Sequence, residues 1–462
     1  MRQKLISYFS IIVAIFATGT MLMLALPLGE QAWLAWFMLV PLLWTTKEKG
    51  FLIGFLSGLG AVFWCGFLAT TGVFYQTKTF EPDSAWTYTA CGLFASSFAL
   101  FFAIWGDSKN HTKPVWWFAA LAVCLESILL LKLPAPLALT QYRNPAMMFV
   151  TSGAGVWGVS FLIWYLNVAC VKSVSSRIVT GLVLVISVIA TKSVHPPQVT
   201  GGILVGATQI AEGQDRELSD SHQEASRLRP ALVVWPEFSG MNFVHNDDTS
   251  KLKQWSLISS PIVTSFQDKA TPLPHNVAAL FANGQESKRY EKRKLFGKES
   301  DLHTPGLSAV AVLLTGTQET VGLNICYDSC FPYVIRETAA LTGVNFIALP
   351  TIDPDSRHYF IAGIHAAFTP FRCAENGVAM VRADGHYGSM IVNEKGQIVA
   401  ELKNEQKTLI GTISGRRAWT LYQTIGDSFW FLCILGVIAY PIVTWAKNRK
   451  AKLSALESVP PK

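Results

Sequence analysis

Long apolar runs dominate the first 190 residues of the chain and return once near the C-terminus. A membrane-spanning helix needs roughly 20 apolar residues, within a range of about 17–25. Eight runs meet or approach that length, and the second and seventh are the shortest. Their approximate limits are 5–25, 30–46, 51–71, 87–105, 115–133, 147–171, 177–191 and 428–446. The pattern predicts a polytopic α-helical membrane bundle of about eight spans.

The segment between the seventh and eighth runs follows a different pattern. Short β-type runs alternate there with helix-like stretches such as 333–342 and 360–376. The alternation predicts a layered α/β domain, and about 230 residues suffice for one such domain with its own core. The strand-like runs cover residues 201–210, 231–237, 260–266, 276–284, 321–328, 344–350, 377–384, 388–396 and 408–414.

These two patterns divide the chain into three parts. We expect a membrane domain of seven helices at 1–194, an inserted α/β domain at 195–426, and a final membrane helix with a basic tail at 427–462. The dipeptide Pro196-Pro197 predicts a stiff exit from the seventh span, because proline fixes the backbone φ angle.

Composition and charge agree with a membrane protein. Half of the residues are hydrophobic and 15% are charged, against about 25% charged in average soluble domains. The net charge of +7 comes from short basic loops beside the apolar runs. These loops, at 1–4, 47–50, 106–114, 172–177 and 446–462, hold thirteen Lys and Arg and three Asp and Glu. The distribution predicts cytoplasmic termini and an α/β domain outside the cytoplasm, and it argues against a nucleic-acid partner.

The cysteines give no sign of a disulfide framework or a metal site. Five of the eight lie inside apolar runs, and Cys326, Cys330 and Cys373 remain. No CxxC pair or HxxxH spacing accompanies them, so we expect no bound metal.

Three strand ends finish with a reactive side chain. Glu237 follows Val-Val-Trp-Pro, Lys292 follows Tyr-Glu, and Cys326 follows Leu-Asn-Ile. Taken singly, each has a common structural explanation: an ion-paired carboxylate, a solvated lysine or an inert buried thiol.

The ordered set is more specific and resembles the nitrilase superfamily. WPE, then YxKxxL some 55 residues later, then ICYD some 34 further on, are similar to the Glu-Lys-Cys triad segments of carbon–nitrogen hydrolases. With the apolar runs on both sides, the chain resembles the apolipoprotein N-acyltransferases. Segments 155–162 (GVWGVSFL), 275–278 (HNVA) and 420–427 (TLYQTIGD) also resemble that family. The resemblance implies a four-layer αββα sandwich.

The chemistry of such a triad follows from the residue types. A free thiol has a pKa of about 8.5 and is mostly protonated at neutral pH. Glu237 is the candidate general base for Cys326, and Lys292 is a cation that would stabilise both Glu237 and a developing oxyanion. The backbone N–H of Tyr327, directly after the nucleophile, is a second candidate oxyanion donor.

The resemblance also implies substrates and a location. The acyl group would pass from a phospholipid such as phosphatidylethanolamine to Cys326, and then to the N-terminal amine of a diacylglyceryl-cysteine lipoprotein. The implied protein is a multi-pass monomer of the bacterial inner membrane without a cofactor, with its catalytic domain on the periplasmic side.

Some positions depart from the family pattern. The stretch after the lysine is two residues shorter than LVPFGE, and Glu299 is the candidate supporting carboxylate there. Asp328 stands where Glu is common, two residues after the nucleophile. The loop 351–356 is polar where the family is rich in aromatic residues.

Three further charged residues have two interpretations each. Glu126 lies within the fifth apolar run, where a carboxylate either has a functional role or locks the helix bundle by a hydrogen bond. Arg372 and Glu375 are three residues apart on a predicted helix. They are candidates for substrate contact, although a helix-surface ion pair is the simpler expectation.

Two other functions remain open from the sequence. A membrane-tethered amidase or nitrilase would use the same triad and transfer the acyl group to water. A scaffold or binding module would use none of it, but the presence of all three triad residues in order argues against that interpretation.

Overall fold

The computed structural model describes most of the chain. The described residues are 2–70, 85–128, 136–173, six positions between 178 and 185, and 201–457 apart from 212, 241–242, 245–246, 315–316, 354–358 and 404. Most of the predicted seventh span (177–191), the segment around Pro196-Pro197 and the predicted boundary at 194/195 lie outside the described residues.

The N-terminal part is a bundle of apolar helices. They are α1 (Arg2–Ala25), α2 (Val40–Thr46), α3 (Phe51–Thr70), α4 (Ala85–Gly106), α5 (Val115–Ser127) and α6 (Pro145–Lys172). Within the described residues, four helical segments are long and apolar enough to cross a membrane: Leu5–Ala25, Phe51–Ala69, Pro145–Lys172 and Ser428–Ser454. Three shorter apolar segments accompany them, at Ala32–Thr46, Gly92–Gly106 and Val115–Ser127. Several helices could therefore span a membrane, and the full set of eight spans stays a prediction.

The second predicted span, 30–46, is not one helix. It consists of a 3-10 turn at Ala32–Trp36 followed by α2, which carries Pro41 in its first turn. The side chain of Asn167 on α6 bridges the break: its amide donates to the Ala35 carbonyl at 2.9 Å, and its oxygen accepts from the Leu39 N–H at 3.0 Å. Because backbone polar groups in a membrane need partners within the protein, a buried amide makes this break possible.

Helix α6 is broken in a similar way at Gly155. This glycine has φ 67° and ψ −173°, a combination that side-chain-bearing residues avoid. The Val156 N–H freed by the break donates to Glu375 Oε1 of the α/β domain at 2.9 Å. A side chain from the inserted domain therefore completes a helix of the membrane bundle.

The inserted domain contains one seven-stranded and one six-stranded sheet. The strands are β1 (Ile203–Gln209), β2 (Leu232–Val234), β3 (Ile262–Gln267), β4 (Asn276–Ala282), β5 (Gln285–Glu286), β6 (Tyr290–Glu291), β7 (Val310–Leu313), β8 (Thr320–Leu323), β9 (Val344–Thr351), β10 (Ala379–Asp384), β11 (Gly388–Val392), β12 (Ile398–Lys403) and β13 (Lys407–Ile413). The seven-stranded sheet has the order β13-β1-β2-β3-β4-β5 with β6 paired to β4, and the six-stranded sheet has the order β12-β11-β10-β9-β8-β7. The central strands β1–β2–β3 and β8–β9–β10 run parallel, and the outer ones are antiparallel.

The two sheets pack face to face and helices cover their outer faces. The later helices are α7 (Asp215–Ser226), α8 (Ser250–Trp255), α9 (Glu299–Leu302), α10 (Pro332–Ala340), α11 (Tyr359–Asn376), α12 (Leu421–Ile425) and α13 (Ser428–Glu457). Val234 and Phe346 belong to the core between the sheets. Leu218 of α7 packs in the outer core with Trp235, and Ile335 of α10 packs in the opposite outer core. The predicted αββα sandwich is confirmed.

All nine predicted strand runs correspond to strands, because most of these strands are buried on both faces and therefore read as continuous apolar runs. Sequence reasoning missed four strands that lack this signal: β5 and β6 have two residues each, and β7 and β12 lie at a sheet edge. It also missed α7, in which Leu218, His222 and Ala225 are the buried positions.

The sandwich rests on the membrane helices through polar and apolar contacts. Arg143, just before α6, forms an ion pair with Glu401 of β12 at 2.5 Å. Ile364, Phe368 and Phe371 on α11 share one buried apolar cluster with residues of the helix bundle. Helix α11 is therefore the element through which the two parts pack together.

The break in α6 predicts a specific sensitivity to substitution. At position 155 a Cβ atom would lie 2.6 Å from Cε2 of Tyr422 and would occupy a strained backbone region. We expect Gly155→Ala to lower the free energy of unfolding by about 1–3 kcal/mol, measured by thermal or denaturant unfolding in detergent.

Gly153→Ala is the matched control, because a Cβ there meets no atom within 4 Å. It should leave stability unchanged or slightly raised. Equal stability of the two variants would contradict the assigned role of Gly155.

Candidate active site

Glu237 is placed at the end of β2 by the residue that precedes it. Pro236 lacks an N–H group and ends the strand after Val234 and Trp235. The Glu237 N–H then donates to the Thr351 carbonyl of the opposite sheet at 3.1 Å. The carboxylate is buried between the sheets, with 1% of the residue exposed.

Lys292 directly follows the two-residue strand β6. Its N–H donates to the Asn276 carbonyl at 2.8 Å, which fixes the backbone at the edge of β4. Its ammonium group lies between two carboxylates, 2.8 Å from Glu237 Oε1 and 2.7 Å from Glu299 Oε2. A cation that is 2% exposed is therefore fully paired.

Cys326 begins a short 3-10 turn, Cys326–Cys330, which we call the nucleophile turn. Its φ angle of +48° lies in the left-handed region, which non-glycine residues seldom adopt. Such strained residues concentrate at active sites, at a cost of about 1–3 kcal/mol each. The Cys326 thiol lies 4.0 Å from the Ile352 carbonyl oxygen, and the Glu237 charge is near enough to raise the pKa of the thiol.

The structure thus brings Glu237, Lys292 and Cys326 together, although 89 residues separate the first from the last. Their proximity follows from the topology. Glu237 and Lys292 belong to one sheet and Cys326 to the other, so the pocket lies between the two sheets at one end of the sandwich.

Glu299 supports Lys292 despite the shortened stretch before it. Besides the ammonium, its carboxylate accepts the Phe296 N–H at 2.9 Å and the Asn276 amide at 2.9 Å. Asn276 also donates to Glu237 Oε1 at 2.7 Å. The three charged groups and Asn276 form one continuous hydrogen-bonded chain.

Asp328 is a positioning residue of the turn. Its carboxylate accepts the N–H groups of Ile325 and Lys294 at 3.0 and 2.9 Å, and the hydroxyl of Tyr290 at 2.7 Å. The shorter side chain therefore has good partners, and they join the nucleophile turn to the strand that carries Lys292. An acceptor with this geometry does not donate to an oxyanion. Among the candidate supporting groups, the N–H of Tyr327 keeps that role as a prediction.

The electrostatics of the site have clear directions. Burial lowers the pKa of Lys292, but the charges of Glu237 and Glu299 outweigh it and raise that pKa well above the usual value. Burial and the Glu237 charge together raise the pKa of Cys326. Burial works against ionisation of Glu299, yet Lys292 lowers its pKa overall.

These shifts define the pH window of the ion pairs. The folded-state pKa of Glu299 is lowered, so its contribution to stability is present above its unfolded pKa of about 4.3 and is lost as the pH falls. The raised pKa of Lys292 stabilises the fold below its unfolded value of about 10.4, and that contribution is lost as the pH rises through the folded-state value.

Three candidate residues lie elsewhere. Glu126 accepts a hydrogen bond from Trp164 of α6 at 2.7 Å, which is the bundle-locking contact that the sequence left open. Arg372 and Glu375 form an ion pair at 2.8 Å. The expectation of a helix-surface pair is wrong, because both residues are fully buried where α11 packs on α6. Within the described residues, none of their hydrogen bonds or ion pairs reaches the triad.

Sequence reasoning missed several polar residues around the site. Asn276 was noted only within the segments 275–278 and 276–284 and was given no role of its own, and the resemblance of segment 275–278 to the family was the available signal. Asp353, His365 and Arg382 form a buried cluster behind the nucleophile turn. The signal for these was a histidine within an apolar helix and a charged pair, Arg382 and Asp384, within an apolar strand.

The cysteines and the possible metal ligands around the site bear on the triad, because a disulfide or a bound metal would change the chemistry of Cys326. Cys326, Cys330 and Cys373 are all free thiols, so no disulfide blocks the nucleophile. Among the described residues, no group of three or more His, Cys, Asp or Glu is placed to hold a metal ion. Of the polar loop 351–356, residues 354–356 lie outside the described part, while Ile352 donates its N–H to Glu237 Oε2 at 3.1 Å.

Two family models match the chain. Residues 212–419 match the model described as carbon-nitrogen hydrolase, and residues 18–169 match the apolipoprotein N-acyltransferase N-terminal domain. The first falls within the sandwich and the second within the helix bundle.

Similar proteins are found among curated and solved chains. An apolipoprotein N-acyltransferase of Geobacter metallireducens is 25% identical, over 94% of this chain and 95% of its own length. Apolipoprotein N-acyltransferase 1 of Treponema denticola is 22% identical, over 65% of this chain and 70% of its own. A solved amidase from Nesterenkonia sp. is 21% identical with a TM-score of 0.41, over 48% of this chain and 94% of that one.

The charge next to the thiol predicts the behaviour of a single substitution. Glu237→Gln removes a negative charge that raises the pKa of Cys326, while burial remains. We expect the pH at which Cys326 reacts half-maximally with iodoacetamide to move lower, measured by mass spectrometry of timed alkylation across a pH series.

Lys298→Ala is the control, since Lys298 is exposed and lies next to Glu299 in sequence. Its alkylation profile should match that of the unmodified protein. A reaction midpoint in Glu237→Gln that is unchanged or higher would show that the two side chains are not coupled.

Proposed function

We propose, for a chain that belongs to the apolipoprotein N-acyltransferases of the nitrilase superfamily, that Cys326 carries the acyl group during transfer. The protein is a membrane N-acyltransferase. The proposal extends to its catalytic residues, its lipid substrates and its orientation in the membrane.

The observation that carries the proposal is the convergence at one buried point of a carboxylate, an ammonium and a thiol. Glu237 forms an ion pair with Lys292 at 2.8 Å, and its charge acts on the Cys326 thiol. A general base, a cation and a nucleophile in one site are the parts that covalent acyl transfer needs.

The first half-reaction loads the enzyme. Glu237 takes the proton of Cys326 as the sulfur attacks the ester carbonyl of a phospholipid. The Lys292 ammonium and the Tyr327 N–H stabilise the oxyanion, and one such donor is typically worth about 3–4 kcal/mol. As the C–O bond breaks, Glu237 returns the proton to the departing lysophospholipid alcohol. A thioester on Cys326 remains.

The second half-reaction transfers the acyl group from Cys326 to the acceptor. The neutral α-amine of a diacylglyceryl-cysteine lipoprotein attacks the thioester carbonyl and loses a proton to Glu237. The C–S bond breaks and the sulfur regains that proton, which yields an N-acylated lipoprotein and restores the free thiol. Burial of Cys326 and Glu237 favours an amine over water in this step, because it limits solvent access to the thioester.

Two lipid substrates explain the attachment to a membrane domain. Moving an acyl chain out of a bilayer costs about 0.8 kcal/mol per CH₂ group. A catalytic domain packed on membrane helices through α11 and Arg143 receives both substrates without that cost. Phosphatidylethanolamine is the proposed donor and a diacylated lipoprotein the proposed acceptor.

The proposed topology follows from the basic loops. Eight spans place both termini in the cytoplasm and residues 195–426 on the periplasmic side of the bacterial inner membrane. Residues 1–194 and 427–462 then form the membrane domain of a monomer. The limits of the two matching family models, 18–169 and 212–419, are compatible with this division.

Hydrolysis is the second candidate outcome of the same triad. The polar residues Thr351 and Asp353, in the loop that contacts Glu237 through Ile352, are the observation that favours it. In that case water would release the acyl group as a free acid.

The triad predicts three inactive variants. Cys326→Ser, Glu237→Gln and Lys292→Ala should each lower acyl transfer by at least about 1,000-fold, because each removes one of the cooperating groups. The measurement is the transfer of a labelled fatty acyl chain from phospholipid vesicles to the enzyme and to a lipopeptide.

Lys294→Ala and Lys298→Ala are the matched controls from the same lysine-rich stretch. Both should keep activity within about threefold of the unmodified enzyme, since neither side chain contacts Glu237 in the described structure. Loss of activity in one of these, with normal activity in Lys292→Ala, would move the catalytic lysine to a different position.

The product predicts which of the two functions applies. Incubation with phosphatidylethanolamine and a diacylated lipopeptide should add one acyl chain to the lipopeptide amine, detected as the corresponding mass increase. The thioester on Cys326 should accumulate when the lipopeptide is omitted. Recovery of free fatty acid alone would establish the hydrolase instead.

A further inference from the structure

A cluster of four buried charged side chains lies directly behind the nucleophile turn. We call Asp353, His365, Arg382 and Asp384 the histidine quartet. Asp353 follows β9, Arg382 and Asp384 lie on β10, and His365 lies on α11. All four are at least 94% buried, and none of them takes part in the acyl-transfer steps described above.

Within the quartet the charges alternate. His365 Nδ1 lies 2.5 Å from Asp353 Oδ1, and Arg382 contacts the other oxygen of Asp353. Arg382 Nη1 lies 3.2 Å from Asp384 Oδ2. Asp384 in turn accepts the Asp353 N–H at 2.9 Å. Each carboxylate therefore faces a cation.

The second nitrogen of His365 points at the nucleophile. Nε2 lies 3.1 Å from the carbonyl oxygen of Cys326 and 3.0 Å from Ser329 Oγ. The Ser329 hydroxyl donates to the same Cys326 carbonyl at 2.9 Å. The backbone of the nucleophile is thus held by one side chain from its own turn and by one from α11.

The hydrogen atoms available to the ring favour its doubly protonated state. A carbonyl oxygen only accepts, and an ionised carboxylate only accepts. The Ser329 hydroxyl has a single hydrogen, for which the Cys326 carbonyl and His365 Nε2 compete. A neutral ring with its proton on Nδ1 would take that hydrogen on Nε2 and leave the Cys326 carbonyl without a donor. The Asp353 carboxylate and the Cys326 carbonyl both receive a hydrogen from the ring only when both ring nitrogens carry a proton.

Protonation of Asp353 is not the alternative. Burial raises the pKa of Asp353, but the positive charges of His365 and Arg382 outweigh it and lower the pKa to about 2. With Asp353 and Asp384 ionised and with Arg382 and His365 protonated, the quartet has no net charge. Neutrality of a fully buried cluster is what the cost of burying ions demands.

We propose that His365 is an imidazolium positioning residue, which holds the carbonyl of Cys326 and thereby fixes the orientation of the nucleophile turn. The inference rests on the proposed role of Cys326 as the acyl carrier. The carbonyl of Cys326 and the N–H of Tyr327 belong to one planar peptide unit, so a group that holds the first also orients the second. The strained φ of Cys326 needs such support from its surroundings.

The first test observes the ring directly. Full-length protein in nanodiscs, labelled with ¹⁵N-histidine, should show two protonated ring nitrogens for His365 at the pH at which the enzyme is active. The signal is assigned by its absence in His365→Gln. A spectrum with one unprotonated ring nitrogen at that pH would overturn the proposal.

The second test measures function in variants. His365→Ala should lower the rate constant for acylation of Cys326 by about 10- to 100-fold, the range expected for a misplaced reacting group. The KM for the phospholipid should change less than about twofold. His365→Gln keeps one N–H donor and should recover part of the rate. An unchanged rate constant in His365→Ala would contradict a positioning role.

His386→Gln is the matched control. His386 Nδ1 contacts the backbone carbonyl of Asp353 at 2.9 Å, and the backbone N–H of His386 donates to Asp384 Oδ1. Among the described residues, His386 makes no hydrogen bond to the nucleophile turn. This variant should keep the rate and the pH profile of the unmodified enzyme. Equal losses in the two histidine variants would indicate a general structural effect of the quartet.

Iodoacetamide alkylation separates failure of this proposal from failure of the proposed function, because it needs no acyl donor. If Cys326→Ser retained acyl transfer, the assigned function of Cys326 would be wrong. In protein that retains Cys326, the pH dependence of its alkylation and the ¹⁵N spectrum would still report on whether His365 holds the backbone at position 326. Correct folding of each variant is checked by its thermal unfolding.

Discussion

The ammonium group of Lys292, held between the carboxylates of Glu237 and Glu299, is the contact on which the site depends. Each of these charges alone would be costly between two sheets, and a buried ion left without its partner typically destabilises a fold by about 3–5 kcal/mol. Together they are paired at 2.8 and 2.7 Å and share Asn276 as a common donor. The arrangement pairs the buried charges beside the Cys326 thiol, which is the group that the proposed transfer assigns as nucleophile.

The sandwich provides that contact through its topology. Parallel strands in the centre of each sheet end at the same edge, so the residues that follow them converge even when they are far apart in sequence. At that edge Pro236 follows the end of β2, and Cys326, with its left-handed backbone conformation, turns the chain away from the second sheet. Behind them, α11 has two roles: His365 reaches the backbone of the nucleophile, and its C-terminal turn packs on the membrane helices.

The sequence predicted the parts of this molecule that depend on local pattern. Apolar runs located the long helices and nine strands, and the order of three motifs selected three residues that the structure brings together. Contacts between segments that are distant in sequence could not be predicted from local pattern. His365 looks like a core histidine until Cys326, 39 residues away, is placed beside it. Arg372 and Glu375 have the spacing of a surface pair, and packing against α6 buries them. The broken helices likewise depend on Asn167 and Glu375, whose partners are remote.

The cap at the break of α6 has a consequence for biosynthesis. Val156 and the carboxylate that completes it are 219 residues apart. Ribosomes add about 5–20 residues per second, so roughly ten to forty seconds separate the synthesis of the two. During that interval the freed amide has no access to Glu375, and α6 must hold a provisional conformation or stay near water or the insertion machinery. The bundle reaches its mature form only after the domain that it carries has folded, so maturation runs from the α/β domain back into the helix bundle.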